Sequence, residues 1–280
     1  MAVTRPRDPG DRLRTLLEER GARPLVRPTT ALAPPRDPGP LRSAARRITS
    51  YHWIVVTSRN TVQPLMQALE EAGTARSVQR ERGDRSAEAE RGLRPRICAV
   101  GPGTAGALAA ASLPVDRIPE RYVAEGVVEA LAPEVKGAGE RPGADEPPLI
   151  LYPRAEGARD VIPRDLEKMG ARVDAVEAYR TVPNRDGARA LADGVDRGEV
   201  DVITFAAGSA ARSFARAWKE GGEGAGRTRE WPGGVGVVAI GPVTARTLEA
   251  EGIPVHGIGE PHTLEGLVAA VEAWAREREA

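Results

Sequence analysis

The stretch ICAVGPGTAGALAAASLPV runs from Ile97 to Val115 and holds Gly101, Gly103 and Gly106 in a G-x-G-x-x-G spacing. An apolar run precedes the glycines and an alanine-rich, helix-forming run follows them. A strand turning into a helix through glycines outlines a dinucleotide-binding loop, and Glu120 lies about where an acidic ribose ligand would sit. The chain supplies its own test of that reading. Residues 240–245 read IGPVTA against VGPGTA at 100–105, a shift of 140. The same shift lays IPVHGIGE (253–260) on LPVDRIPE (113–120), and EGLVAA (265–270) on EGVVEA (125–130). The second copy keeps Gly241, Pro242, Thr244 and Ala245 but has Val243 and Arg246 in place of the second and third glycines. A pyrophosphate loop needs both, for close backbone approach and for helix packing. The shared element is therefore Gly-Pro-x-Thr-Ala, a strand end passing into a helix. Thr104 and Thr244 are read either as caps whose hydroxyls meet a free backbone N–H or as direct ligands. Glu120 and Glu260 are read as turn residues.

Working outward, a second shift of 149 pairs LEERGAR (17–23) with LEKMGAR (166–172), and Arg5 with Arg154. It also lays WIVVTSRNTV (53–62) on VITFAAGSAA (202–211), and Pro34 on Pro183. The chain is a tandem duplication of one unit. WIVVTS (53–58), ICAVG (97–101), LILYPR (149–154), VDVITFA (200–206) and VVAIG (237–241) predict buried parallel strands. Helices are predicted at 11–21, 104–111, 164–170 and 244–252. Such alternation predicts α/β domains with parallel sheets. Three segments fit neither copy and are read as flexible surface insertions: 74–94, 136–148 and 219–234.

The 280 residues suffice for two domains, and 40 basic residues balance 40 acidic ones. Global charge thus gives no argument for nucleic acid, and no helix-turn-helix or basic face is evident. An anionic ligand must be captured locally. The single cysteine, Cys98, lies in an apolar run and reads as a buried strand residue. One thiol and three scattered histidines make no metal site. With no signal-like or membrane-length apolar run, the expected setting is the cytoplasm. Arginine far outnumbers lysine, so single arginines carry little weight.

Four blocks together resemble the uroporphyrinogen-III synthase family: YHWIVVTSRNTV (51–62), AVGPGTAGALAAASLPVDRIPE (99–120), LYPRAEGARDVIPRDLEKMGARVDAVEAYRTVP (151–183) and AIGPVTARTLEAEGIPV (239–255). They cover most of the chain in the family's order. The resemblance implies two similar three-layer α/β domains with parallel sheets, joined by a two-segment crossover, with the site in the cleft between them. Domain one would be residues 1–32 plus 184–280, and domain two 33–183. The N-terminal strand–helix–strand (1–30) would complete the sheet of the C-terminal copy. PTTALAPP (28–35) and YRTVPN (179–184) would be the paired crossovers.

The implied substrate is hydroxymethylbilane, a linear tetrapyrrole with acetate and propionate on every ring. The implied reaction is that of a cyclising hydro-lyase: loss of the hydroxyl as water, inversion of the last pyrrole through a spiro intermediate, and closure of the macrocycle. No cofactor is implied, and the expected partner is this small molecule alone, bound by a monomer without nucleic acid or membrane. A neutral protein can hold a polyanion with helix N-termini, whose backbone donors and dipoles need no formal charge. The candidate substrate-binding residues are Ser58, Asn60, Gly101, Thr104, Ala105, Arg154, Ser209, Gly241 and Thr244. Arg159 reads more simply as a surface arginine. The candidate catalytic residue is Tyr179, which matches the tyrosine the family carries after the strand VDAVEAYRT; its phenol would donate to the leaving hydroxyl.

The family often has an FTS strand end in both halves, where this chain has VTS and FAAGS. Ala206 and Ala207 therefore lack a hydroxyl that Ser209 or backbone donors would replace. That weaker second copy keeps open a catalytically weak homologue that binds tetrapyrroles or regulates. A nucleotide-dependent transferase on paired Rossmann units is disfavoured by the missing glycines and by the lack of a catalytic base cluster.

Overall fold

The computed structural model describes residues 1–5, 12–79, 94–138, 147–223 and 230–279. Tertiary contacts divide the chain into two compact units, residues 1–32 with 181–280, and residues 33–180. The chain passes from one to the other inside the strands β3 (Thr30–Ala33) and β7 (Arg172–Pro183).

The first unit begins with β1 (Ala2–Val3), α1 (Arg12–Glu18) and β2 (Leu25–Val26). After the second crossover it continues with α7 (Arg185–Asp196), β8 (Val202–Phe205), α8 (Gly208–Glu223), β9 (Gly236–Ala239), α9 (Pro242–Ala250), β10 (Gly257–Ile258) and α10 (Leu264–Glu279). Its sheet runs β10-β9-β8-β1-β2. Ala2 and Val3 pair in parallel with Ile203 and Thr204, so the N-terminal strand does join the sheet of the C-terminal copy. Thr4 Oγ1 donates to the Thr204 carbonyl (2.7 Å), and Thr204 Oγ1 donates to the Ala2 carbonyl (3.2 Å). Both hydroxyls are thereby satisfied inside the sheet.

The second unit holds α2 (Gly39–Arg46), β4 (Trp53–Val56), α3 (Val62–Glu71), β5 (Arg96–Ala99), α4 (Pro102–Ala110), α5 (Ala124–Ala138), β6 (Leu149–Ala155) and α6 (Val161–Lys168), with most of β7. The sheet containing these strands is ordered β3-β7-β6-β4-β5. The registered pairs in it, β4 with β5 and with β6, and β6 with β7, are all parallel.

Strand periodicity explains why each unit has three layers. Along β4, Ile54 and Val56 pack with Leu65, Leu69 and Leu108 on one face. Trp53 and Val55 pack with Val127, Leu131 and Leu166 on the other. Alternate side chains leave a strand in opposite directions, so a run buried at every position requires helices on both faces. In the first unit, Ile203 and Phe205 meet Phe214 and Leu248 while Val202 and Val238 meet Leu13 and Leu267.

Two sequence expectations need correction. The segment 219–234 is not an insertion from its start, because α8 continues through Glu223. Trp218 holds its last turns by stacking on Phe214 at 6.0 Å and by meeting Trp231 at 5.0 Å. Likewise α5 extends to Ala138, three residues into the segment 136–148. Of the segment 74–94, residues 80–93 lie outside the described residues, as do 139–146 and 224–229 of the other two. Cys98 is fully buried, and burial pushes its thiol up to about 11. It packs as a small apolar residue and is no nucleophile near neutral pH.

Candidate active site

The predicted residues fall at the carboxyl ends of the strands, the side on which open α/β sheets bind ligands. In the second unit Ser58 and Asn60 follow β4, Gly101, Thr104 and Ala105 follow β5, Arg154 closes β6 and Tyr179 lies in β7. Since β7, β6, β4 and β5 are consecutive neighbours, all seven share one rim of one sheet. In the first unit Ser209 follows β8, and Gly241 and Thr244 follow its neighbour β9.

The two Gly-Pro-x-Thr-Ala segments adopt one geometry. Gly101 and Gly241 are the N-caps, with extended backbone (φ −173° and −172°) and no side-chain cap. Each is followed by proline at the first helical position, where the missing N–H costs nothing. The reading of Thr104 and Thr244 as caps is therefore corrected. They sit in the third helical position, 7% and 5% exposed. Their backbone N–H groups turn back on the Gly101 and Gly241 carbonyls, both at 3.1 Å. Ala105 N–H reaches the same Gly101 carbonyl at 3.0 Å. The helix starts lie two residues earlier than the composition suggested, because Pro102 and Pro242 belong to the helices rather than to the turns. The first-turn donors left outside the helix ladder are therefore the Gly103 and Val243 N–H groups, with the positive dipole end behind them.

Added Cβ atoms show which glycines this geometry needs. One at Gly101 would lie 3.1 Å from the Tyr122 ring, and one at Gly241 would lie 3.2 Å from the His262 ring. At Gly106 nothing lies within 4 Å, and at Gly103 the sole neighbour is the Arg59 guanidinium at 3.7 Å. The open space at Gly106 removes the close helix packing that a dinucleotide fingerprint asks of its third glycine.

Tyr122 and His262 were missed by sequence reasoning, as were Ile118 and Ile258. The signal was present: both pairs are related by the shift of 140. Tyr122 is 60% exposed over Gly101, and Ile118 and Ile258 are 43% and 44% exposed. His262 Nδ1 is 2.8 Å from the Gly259 carbonyl, which fixes the ring beside Gly241. Each uncapped helix start is thus accompanied by an exposed isoleucine and a planar side chain. That combination suits a ligand with apolar ring faces and an anionic edge.

The remaining candidates differ in how committed they are. Ser58 Oγ accepts the Asn60 N–H (3.2 Å), shaping the turn after β4. Arg154 is folded into its own loop: it donates to Asp160 and to the Ala158 carbonyl (3.3 Å), with its Nε buried and unpartnered. Arg159 is exposed. Tyr179 is 8% exposed and packs in the core cluster with Val176 and Ala178. Its carbonyl accepts the Glu156 N–H (2.8 Å) beside a bulge that sets Ala155 opposite Tyr179. The other interior tyrosines are engaged, Tyr51 with Asp174 (2.5 Å) and Tyr152 with Thr57 (3.4 Å). Burial, with the hydrogen bond to Asp174, raises the Tyr51 phenol above its ordinary range. Among the described residues, no cluster of histidine, cysteine and carboxylates could hold a metal ion, and no helix is long and apolar enough to cross a membrane.

Comparison with known proteins agrees with this architecture. The family described as uroporphyrinogen-III synthase HemD matches residues 11–269. The uroporphyrinogen-III synthase of Synechococcus elongatus is 30% identical over 265 residues, covering 93% of this chain and 89% of that protein. A protein of Methanothermobacter thermautotrophicus assigned provisionally to the same synthase is 33% identical over 275 residues, covering 97% and 96%. In fold, the chain is similar to the crystal structure of uroporphyrinogen-III synthetase from Helicobacter pylori, with a TM-score of 0.57 at 16% identity over 97% of each chain. A mutant uroporphyrinogen III synthase from Thermus thermophilus gives 0.50 at 21% identity, over 99% of this chain and 98% of that one. The duplicated unit, the paired helix starts and the match over nearly the whole length place this chain in the uroporphyrinogen-III synthase family.

Proposed function

We propose that this chain converts hydroxymethylbilane to uroporphyrinogen III. The observation that carries the proposal is the doubled, uncapped Gly-Pro-x-Thr-Ala helix start, one in each unit at the carboxyl end of its sheet. Two such starts supply anion-binding donors to a substrate that carries carboxylates along its whole length, in a protein with no net charge. The exposed Ile118, Ile258 and Tyr122 offer apolar contact for the pyrrole faces. The same proposal takes the enzyme as a cytoplasmic monomer without cofactor, its domains being 1–32 with 184–280 and 33–183.

The chemistry asks for positioning and one proton. The Tyr179 phenol donates a hydrogen bond to the substrate's terminal hydroxyl, and the neighbouring pyrrole nitrogen pushes its electron pair outward. The carbon–oxygen bond breaks and the oxygen leaves as water. The resulting cationic carbon is attacked by the substituted carbon of the last pyrrole, giving the spiro intermediate. One bond of that centre then breaks and re-forms at the other side of the ring, which inverts it; the carbon that gains the bond gives up its proton, replacing the one that left with the water, and the macrocycle is closed. Ser58, Asn60, Thr104, Arg154, Ser209 and Thr244, with the backbone of Gly101 and Gly241, hold the carboxylates so that the correct carbon attacks.

The test is to supply hydroxymethylbilane and resolve the products. Uroporphyrinogen III in excess over the uninverted isomer, at a rate proportional to enzyme, is the expected result. The spontaneous isomer alone would favour the binding or regulatory reading. Within the active enzyme, replacing Thr104 and Thr244 together by valine is expected to raise KM about tenfold, the scale of lost hydrogen bonds to charged groups. Valine is nearly isosteric and the hydroxyls cap nothing, so an unchanged KM would reduce both threonines to packing.

A further inference from the structure

The first unit contains a cavity of about 310 Å³ between α7 and α8, bordered by the end of the second crossover at Thr181–Pro183. Arg185 and Arg189 approach it from α7, and Arg212 and Arg216 from α8. The carboxylate among its lining residues is Glu220, which accepts from Arg216 Nε at 2.7 Å and is held below the usual carboxylate range chiefly by Arg216. Four guanidiniums around one carboxylate form a local excess of positive charge in a chain whose net charge is zero.

Three features show that this excess is not incidental. Each helix places its arginines at i and i+4, a like-charge spacing that weakens a helix. Arg185 also opens α7, where a basic group opposes the helix dipole. Ser213 is 8% exposed on the cavity wall, and its Oγ is buried without a hydrogen-bond partner. An unsatisfied buried hydroxyl beside uncompensated guanidiniums is the arrangement an anion would complete. The duplication supplies the contrast. Under the shift of 149, Arg212, Ser213 and Arg216 correspond to Gln63, Pro64 and Gln67. Gln67 donates to Glu71 (2.9 Å) as Arg216 does to Glu220, so the helix partnership is kept and the charge is not. Arg185 recurs as Arg36 while Arg189 corresponds to Pro40, so three of the four arginines belong to the C-terminal copy alone.

We propose that this cavity holds one pyrrole ring of the substrate through its adjacent acetate and propionate. The proposal rests on the synthase reading and assigns residues outside those named above, apart from Ser209 at the cavity's edge. Arg185 and Arg189 face one carboxylate, and Arg212 and Arg216 the other, each in the forked geometry guanidinium offers to carboxylate. Val182, Pro183 and Ala217 supply apolar wall for the ring. By this device one end of a near-symmetric substrate is held differently from the rest.

The test uses the full chain with Arg189→Gln and Arg212→Gln combined, both exposed positions that leave the helices intact. The expected result is a rise in KM for hydroxymethylbilane of about tenfold or more, with kcat within about twofold. A control, Arg20→Gln with Arg276→Gln, makes the same charge change on the surface of the same unit and is expected to leave KM unmoved. In parallel, a monopyrrole bearing adjacent acetate and propionate is titrated calorimetrically, with inorganic phosphate as the comparison anion. Wild-type protein is expected to bind the pyrrole, and the double variant to lose it. An unchanged KM, an equal effect of the control, no pyrrole binding by wild type, or phosphate bound as tightly as the pyrrole would each overturn the proposal. If wild type forms no uroporphyrinogen III, the activity reading fails, while the calorimetric titration still decides the cavity.

Discussion

Replacing Tyr179 by phenylalanine is expected to lower kcat for ring closure by about 10²-fold, the lower end of what one positioned proton donor contributes. Tyr179 is 8% exposed in a cluster built from Val176, Ala178, Leu151 and the α3 and α4 helices. Phenylalanine keeps every ring contact, so the change removes one oxygen and nothing else. Among the described residues the Tyr179 hydroxyl makes no hydrogen bond, unlike those of Tyr51 and Tyr152. Its loss therefore leaves no buried partner unsatisfied, and the melting temperature should stay within about 2 °C. The bulge between Arg154 and Ala155 sets the register that presents Tyr179 at the rim of β6 and β7. Tyr51→Phe is the matched control: its hydroxyl serves Asp174, so it should cost stability and leave kcat unmoved. Steady-state kinetics and thermal melts of the two variants check both halves. Full activity in Tyr179→Phe would make the residue a packing element.

How far the site was legible in the sequence depended on what each residue needed to be recognised. Strands buried on both faces are continuous apolar runs, so β4, β5, β6, β8 and β9 declare themselves without tertiary information. The duplication then separated Gly101, which recurs as Gly241, from Gly103 and Gly106, which do not recur, and the space around each agrees. Helix ends were read less well. Pro102 and Pro242 look like turn residues until their position inside the first turn is seen, and glycines after Trp218 look like a loop although aromatic packing holds α8 to Glu223. Tyr122 and His262 acquire meaning once the chain folds back over the preceding helix start, an event with no local pattern. The four arginines of the α7–α8 cavity are separated in sequence by β8 and lie in an arginine-rich chain. Their i, i+4 spacing was the one available signal.

Gly126→Ala is expected to destabilise its unit by about 3 kcal/mol, the upper range of forced overpacking, and to lower its melting temperature by about 10 °C. An alanine Cβ there would collide with the Arg121 carbonyl oxygen and lie 3.0 Å from the Arg121 carbonyl carbon. The obstacle is backbone, and it cannot swing aside as a side chain would. That carbonyl already accepts the Val123 N–H (2.9 Å), and Val127 N–H binds the Val123 carbonyl (3.1 Å), so the loop is fastened to the first turn of α5. The loop carries Tyr122, whose ring lies over Gly101. Displacing it moves that ring, so Gly126→Ala should also raise KM. The repeat partner, Gly266, meets the Pro261 carbonyl in the same way, and Gly266→Ala should reproduce the effect in the other unit. Gly106→Ala is the counterpart. Gly106 lies within α4, with nothing within 4 Å of an added Cβ, and alanine there should stabilise by about 0.5–1 kcal/mol. Melts of the three variants read the signs directly. Destabilisation by Gly106→Ala, or tolerance of Gly126→Ala, would show that the glycines serve something other than the close approach of chain to helix at each anion-binding start.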